Sequence, residues 1–72
     1  MLFDLVKIGK YCKKYRVSIG RFQSDVAEDT GYSVENISAF ETGRNDNARI
    51  LLWYIEKGID VNGILNEGVL LC

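Results

Sequence analysis

The 72-residue sequence has no proline, no histidine and only two cysteines. Two cysteines cannot form a disulfide framework, and without histidine Cys12 and Cys72 make a poor zinc site. The lack of histidine also excludes catalytic Ser–His and Cys–His pairs. We therefore expect no metal, no cofactor and no enzymatic activity. Cys12 lies between apolar neighbours in a helical pattern and is interpreted as a small core or boundary residue.

Long apolar runs are also missing. No segment approaches the roughly 18 consecutive apolar residues that a membrane span needs. Residues 1–10 are too short and too interrupted by charge to form a signal peptide. Two cysteines that need not pair are compatible with a reducing compartment. We therefore expect a cytoplasmic protein that does not enter a membrane.

Hydrophobic residues nevertheless make up 47% of the chain, which is enough for a compact core and too much for a disordered tail. A chain of this length forms one domain at most. Helical periodicity is frequent along it, whereas strand-like alternation is scarce. The sequence therefore predicts a single all-α domain, with its core over about residues 4–66 and an apolar tail over residues 67–72.

Five short helices are predicted from apolar residues at helical spacing and from the residues that flank them. Ser33, then Asn47 or Asp46, then Asp60 are suited to begin helices as N-caps. Gly31 is suited to end one, because the left-handed position after a helix favours glycine. The predicted helices cover residues 4–16, 21–30, 34–42, 48–57 and 61 to about 66.

Charge is distributed unevenly along the chain. Residues 1–24 hold six Lys or Arg against one Asp, a net charge of +5, and residues 25–72 hold three against nine acids, a net charge of −6. The overall charge of −1 therefore hides a basic N-terminal third. Such a block is either a solvated helix face or a surface that meets an anionic partner.

Residues 23–43 are the most informative segment. They read as a short helix, a turn at residues 30–32 and a second short helix opened by Ser33, which is the spacing of a helix-turn-helix. The order of residue types resembles the phage Cro and repressor type of helix-turn-helix proteins, and the resemblance extends over about residues 8–68. The residues that carry it within the segment are Gln23, Val26, Ala27, Thr30, Gly31, Tyr32, Ser33, Ile37, Ser38, Phe40, Glu41, Thr42, Gly43 and Arg44.

The resemblance implies a compact five-helix bundle, the lambda-repressor-like DNA-binding domain. It also implies a sequence-specific regulator of transcription that binds a double-stranded DNA operator, a Cro-like repressor of phage, plasmid or bacterial origin in a bacterial cytoplasm. The helix over residues 34–42 would read the major groove. Base edges would be met by Val34, Glu35, Asn36 and Ala39. Phosphates would be met by Gln23, Ser33, Ser38, Arg44, Asn45 and Arg21.

Those polar residues also have a simpler interpretation. Glu35 and Asn36 are equally typical of a solvated helix face, and Gln23 of an ordinary first helical residue. Asn36 could pair with adenine and Glu35 with cytosine. However, a Glu also repels the phosphate backbone unless it is well placed, and Glu35 is unusual for a surface that meets DNA.

An ion pair between Arg16 and Glu41 is expected on two grounds. The family pairs an Arg seven residues before the Gln with the Glu before the terminal Gly. Independently, a Glu on an inward helix face needs a cation or several donors. The chain departs from the family at Arg21, where an apolar residue is usual, and we expect Phe22 or Ile19 to fill that space instead.

A homodimer is expected because one recognition helix reads only a few base pairs, and proteins of this type usually pair. The alternative is that Ile64 and Leu65 belong to the core and that the tail is disordered. The predicted dimer surface consists of apolar residues in the fifth helix and the tail, namely Ile59, Val61, Ile64, Leu65, Val69, Leu70 and Leu71.

A second function is also open. The net charge of −1, the presence of Glu35 and the acidic residues of the second helix favour a protein-interaction module that keeps this fold with little DNA affinity. Such a protein would be an antirepressor or an inhibitor, and its partner would be another protein.

Overall fold

Five helices follow one another in the computed structural model, which describes the backbone of residues 3–68 and the side chains of residues 3–66. The helices are α1 (Leu5–Ser18), α2 (Gln23–Thr30), α3 (Val34–Glu41), α4 (Ala48–Glu56) and α5 (Val61–Gly68). Every regular element in this part of the chain is a helix, so the predicted all-α class is confirmed. None of these helices is long and apolar enough to cross a membrane.

Most helix boundaries follow from local capping. Ser33 Oγ accepts from the backbone N–H of Asn36 at 3.2 Å, and Asn47 Oδ1 accepts from that of Arg49 at 3.0 Å. Gly31 ends α2 with a positive φ of 79°, a conformation that costs glycine little. The predicted starts of α3, α4 and α5 are therefore confirmed.

The connection between α1 and α2 differs from the prediction. α1 continues to Ser18, whose hydroxyl donates to the carbonyl of Tyr15 at 2.6 Å. α2 begins at Gln23 and not at Arg21, because the Asp25 carboxylate accepts from the backbone N–H of Phe22 at 2.7 Å and fixes Phe22 as the N-cap. Arg21 therefore lies in the connector.

All five helices contribute to one hydrophobic core. Cys12, Val26 and Ile37 are completely buried, as are Ile50 and Tyr54 of α4. α1 packs against α3 and α5, while α2 packs against α3 and α4. The radius of gyration is 11.4 Å, close to the roughly 11 Å expected of a compact chain of this length.

Two glycines of the bundle allow close helix contacts. A Cβ on Gly9 would lie 2.5–2.7 Å from the backbone carbonyls of Phe40 and Glu41. Gly9 thus lets α1 touch the C-terminal end of α3. Gly63 lets α5 approach α1 in the same way, because a Cβ there would lie 2.6 Å from Cζ of Tyr11.

Candidate functional site

α3 is the helix that presents the predicted contact residues. Three residues, 31–33, separate it from α2. Its inner side consists of Ile37, Phe40 and Glu41, all buried. Because these three residues share one side of an eight-residue helix, the opposite side is left for solvent or for a ligand.

An open depression of about 640 Å³ lies on that opposite side. Six of the ten residues predicted to meet DNA line it, and no other residue among residues 3–66 does. They come from the first residue of α2, from α3 and from the loop after α3: Gln23, Val34, Glu35, Ser38, Ala39 and Arg44. Residues far apart in sequence are thus brought to one surface.

The other four predicted contact residues lie outside this depression. The hydroxyl of Ser33 caps α3, and Arg21 is exposed in the connector before α2. Asn36 is exposed, and its backbone carbonyl accepts from Nδ2 of Asn45 at 3.4 Å. Asn45 therefore bridges the loop back to α3, and the Asn36 side chain lies on a part of α3 that does not line the depression.

The charges in the depression balance. Among the residues that the structure describes, Arg44 and Glu35 are the only charged ones that line it. Nε of Arg44 donates to Oγ1 of Thr42 at 3.1 Å, which orients the guanidinium at the end of α3. Both charged residues are exposed, so each remains available to a ligand.

Beneath α3 lies the ion pair expected between Arg16 and Glu41. Nε of Arg16 is 2.8 Å from Oε2 of Glu41, and Nη2 is 3.1 Å from Oε1. This is the two-point geometry that suits a guanidinium and a carboxylate. The third guanidinium nitrogen, Nη1, donates to the carbonyl of Arg21 at 2.8 Å. The pair thus holds the end of α3 and the connector before α2 on α1.

Two further donors complete the hydrogen bonding of the buried Glu41 carboxylate. Nε2 of Gln23 donates to Oε1 of Glu41 at 3.0 Å, and the hydroxyl of Tyr54 donates to Oε2. Sequence reasoning did not find either contact. The signal that could have found them is that an inward-facing carboxylate needs several donors, since each oxygen accepts more than one hydrogen bond.

Burial and hydrogen bonding shift the pKa values of this network. Burial by itself would raise the pKa of Glu41, but the hydrogen bonds from Arg16, Tyr54 and Gln23 hold that pKa below its usual range. Burial, followed by the hydrogen bond to Glu41, raises the pKa of Tyr54. Burial, followed by the charge of Glu41, raises the pKa of the Cys12 thiol to about 12. Glu41 is thus held ionised and Cys12 protonated.

The expectation that Phe22 or Ile19 fills the space of the missing apolar residue at Arg21 is wrong. Phe22 is 71% exposed and Ile19 is 38% exposed. The physical reason is the position of Arg16, whose side chain is buried and donates to the carbonyl of Arg21. The connector is therefore held by a hydrogen bond, and its apolar side chains remain in solvent.

The predicted dimer residues fall into three groups. Ile59 and Ile64 belong to the core of the single chain, with 4% and 6% exposure. Ile59 must be removed from the proposed dimer surface, whereas Ile64 also lines the same apolar groove as Val61 and Leu65. Val61 and Leu65 are 45% and 43% exposed. Both line an apolar groove of about 350 Å³ between α1, α4 and α5. The remaining three, Val69, Leu70 and Leu71, lie outside the described residues.

Comparison with protein-family models, with curated proteins and with solved structures finds no match to this chain.

Proposed function

We propose that the protein is a sequence-specific regulator of transcription that binds double-stranded DNA, a Cro-like repressor of phage, plasmid or bacterial origin. In this proposal α2 and α3 act as a helix-turn-helix and α3 enters the major groove. The observation that carries the proposal is the depression on α3, because six residues predicted from the resemblance to contact DNA line it together.

Base recognition is assigned to α3. The methyl groups of Val34 and Ala39 suit the methyl group of thymine, and the carboxylate of Glu35 suits the N4 amino group of cytosine. Asn36 is the candidate for a two-point contact with adenine. Asn36 lies beside the depression and is exposed, so it would reach a base at the edge of the contact.

Phosphate contacts are assigned to the residues around α3. Arg44 and Arg21 each bring a full positive charge, with Asn45 and Ser38 as further donors. Gln23 has a second role, since one N–H of its side-chain amide donates to Glu41. We therefore assign Gln23 both to the support of α3 and, through its backbone N–H in the first turn of α2, to phosphate.

The functional unit in this proposal is a homodimer, since two recognition helices must meet successive major grooves about 34 Å apart. The apolar groove that contains Val61 and Leu65 is the proposed self-association surface. Phe3 and Ile55, which are 40% and 37% exposed, line the same groove. Exposed apolar residues gathered in this way are typical of interaction surfaces.

A protein-interaction module is the second candidate function. It is favoured by the charge of the depression, where Glu35 offsets Arg44 and leaves no net positive charge to attract phosphate. In this case the same face of α3 would bind a protein partner, and the chain would act as an antirepressor or inhibitor.

Measurements of DNA binding distinguish the two proposed functions. Sequences bound by the protein are first selected from a random duplex library, and affinities are then measured at about 50 and 200 mM salt. Asn36→Ala should weaken binding to the selected sequence by about 1–3 kcal/mol and relax specificity at one base position. Arg44→Ala should weaken binding to all sequences alike and lower the slope of log K against log salt by about 1.

Matched controls are available on surfaces away from α3. Asn62 and Arg49 are exposed residues of α5 and α4, so Asn62→Ala and Arg49→Ala should leave the selection of sequence unchanged. If the wild-type protein binds no duplex at about 50 mM salt, the DNA-binding proposal is rejected and the protein-interaction module is favoured.

A further inference from the structure

The side of α1 that faces away from the core is basic. Lys7, Lys10 and Lys14 are spaced by three and four residues, so they share one side of the helix. All three are exposed. Together with Tyr11 they line a depression of about 290 Å³. Three of the six cations of the N-terminal third thus lie together at a defined place on the surface.

The carboxylates of the described chain do not neutralise these lysines. Asp4 is the only acidic residue among residues 1–24, and its carboxylate caps α1 by accepting from the N–H groups of Val6 and Lys7 at 3.0 and 3.2 Å. Among the side chains of residues 3–66, the pair between Arg16 and Glu41 is the only one within 4.0 Å. The counter-charge for the lysines must therefore come from outside this part of the chain.

The aromatic residue of the depression, Tyr11, lies close to Gly63 of α5. A second depression of about 270 Å³ shares Tyr11 and Lys14 with the first and continues towards Tyr15 and Ser18. The hydroxyl of Tyr15 donates to the carbonyl of Lys57 at 2.6 Å, which fixes that end. The two depressions form one groove, the α1 groove, that extends over about 16 Å of helix.

The α1 groove is distinct from the depression on α3. The two surfaces have no lining residue in common. Gly9 marks the side of α1 that touches α3. At about 100° of rotation per residue, Lys10, Lys14 and Lys7 lie about 100–160° around the helix from Gly9. A ligand in the α1 groove therefore meets a different face of the protein.

We propose that the α1 groove binds the phosphodiester backbone of duplex DNA without regard to base sequence. Lys7, Lys10 and Lys14 follow one another at rises of about 4.5 and 6 Å along α1, and phosphates of one strand advance about 3.4 Å each along the duplex. The three positions span about 10.5 Å of helix, so each ammonium group can meet a different phosphate. Lysine is depleted in protein interfaces but binds phosphate as a point charge, which favours nucleic acid over an acidic protein.

This inference deepens the proposed function. The depression on α3 offers base contacts and a single cation, whereas phosphate neutralisation supplies essentially all of non-specific affinity. The α1 groove is the part of the surface that can supply that affinity. It does so either on a flanking part of the same duplex or on a neighbouring segment.

The test is the salt dependence of binding to a fluorescent duplex of unrelated sequence. The triple variant Lys7→Gln/Lys10→Gln/Lys14→Gln should have a slope of log K against log salt that is about 2.7 smaller than that of the wild type. Between about 50 and 200 mM salt, the affinity of the wild type should then fall about 40-fold more than that of the variant. Circular dichroism should show an unchanged fold, since the three side chains are exposed.

The control separates location from total charge. Lys10→Gln and Arg49→Gln remove the same charge, but Arg49 is exposed on α4 and lines neither the α1 groove nor the depression on α3. Lys10→Gln should lower the slope by about 0.9, and Arg49→Gln should leave it unchanged. Equal effects of the two single variants, or a triple variant with the wild-type slope, would overturn the inference. Binding of an acidic peptide in place of duplex would also overturn it.

The two DNA-binding proposals can fail separately. If the lysine variants change the salt slope while Asn36→Ala and Arg44→Ala change nothing, the major-groove proposal fails and the α1 groove stands. The reverse result rejects the α1 groove alone. If no duplex binds at about 50 mM salt, both are rejected.

Discussion

Replacement of Glu41 by Gln is expected to destabilise the protein severely. The side chain of Glu41 is 1% exposed and accepts hydrogen bonds from Arg16, Gln23 and Tyr54. Without the carboxylate charge, the Arg16 guanidinium is left buried with no counter-charge, which costs about 3–5 kcal/mol. A chain of this length has a free energy of unfolding of about 4–11 kcal/mol. Glu41→Gln therefore removes a large part of the total stability.

The assay is urea denaturation followed by circular dichroism at pH 7. With a slope of about 1 kcal/mol per molar urea, the midpoint should fall by about 3 M or more. Glu35→Gln is the matched control, because Glu35 lies on the same helix and is exposed. That change should stay within about 0.5 kcal/mol. A loss of less than about 0.5 kcal/mol for Glu41→Gln would refute the reasoning.

A milder variant keeps the test usable if Glu41→Gln does not fold. Tyr54→Phe removes one donor to the carboxylate and leaves the ion pair with Arg16 in place. A hydrogen bond to a charged group contributes about 1.5–3 kcal/mol. The variant should therefore fold and lose about that free energy of unfolding.

The pH dependence follows from the direction of the pKa shift. The folded-state pKa of Glu41 lies below its ordinary value of 4.5. The contribution of Glu41 is therefore fully present above pH 4.5 and is lost as the pH falls through the folded-state pKa. The difference in unfolding free energy between wild type and Glu41→Gln should shrink below pH 4.5. A difference that grows on acidification would contradict this assignment.

Two further predictions concern α1. Gly9→Ala should lower the free energy of unfolding by about 1–3 kcal/mol, because the added Cβ would meet backbone atoms that cannot rotate away. Lys13 is exposed in the same helix. The control variant Lys13→Ala should therefore change the free energy of unfolding by less than about 0.5 kcal/mol in the same urea titration. Cys72→Ser leaves Cys12 as the single thiol, which is buried and has a pKa of about 12. In that variant, the folded protein should react with iodoacetamide at pH 8 about a thousandfold more slowly than the protein unfolded in urea. Equal rates would contradict its burial.

The features of the fold that sequence alone predicted are local ones. Ser33, Asn47 and Gly31 make their hydrogen bonds within four residues of their own positions. Their roles as helix caps can therefore be predicted from the neighbouring sequence. The start of α2 is also local, but helix periodicity alone places it two residues too early, at Arg21. The carboxylate of Asp25 reaches back to the N–H of Phe22 and starts the helix at Gln23.

Contacts between distant helices were predicted only in part. The pair between Arg16 and Glu41 was reached through family spacing and through the need of an inward carboxylate for a cation. In the sequence, Tyr54 is one more aromatic residue on the apolar side of α4, so nothing there indicates its hydrogen bond to Glu41. That bond depends on how α4 is placed against α3. The hydrogen bond of 2.8 Å from Trp53 Nε1 to Asp29 depends likewise on α2 and α4. No local pattern encodes either placement.

The candidate site shows the same division. The sequence predicted ten contact residues, but only the arrangement of α2, α3 and the following loop decides that six share a depression and that Asn36 lies beside it. The roles of Ile59 and Ile64 could not be separated from those of Val61 and Leu65 either. Apolar residues of a short helix are divided between core and surface by the position of the neighbouring helix.

If α3 enters a major groove, Glu35 would help the depression on α3 to distinguish the correct DNA sequence from others. A carboxylate there is repelled by phosphate in every register except one that places it against a cytosine amino group. Specificity can arise from such a penalty on wrong registers as well as from attraction to the right one. In that arrangement the lysines of the α1 groove would hold the duplex, and Glu35 would reject misaligned sequences. Affinity and specificity would then reside on different helices of one small domain.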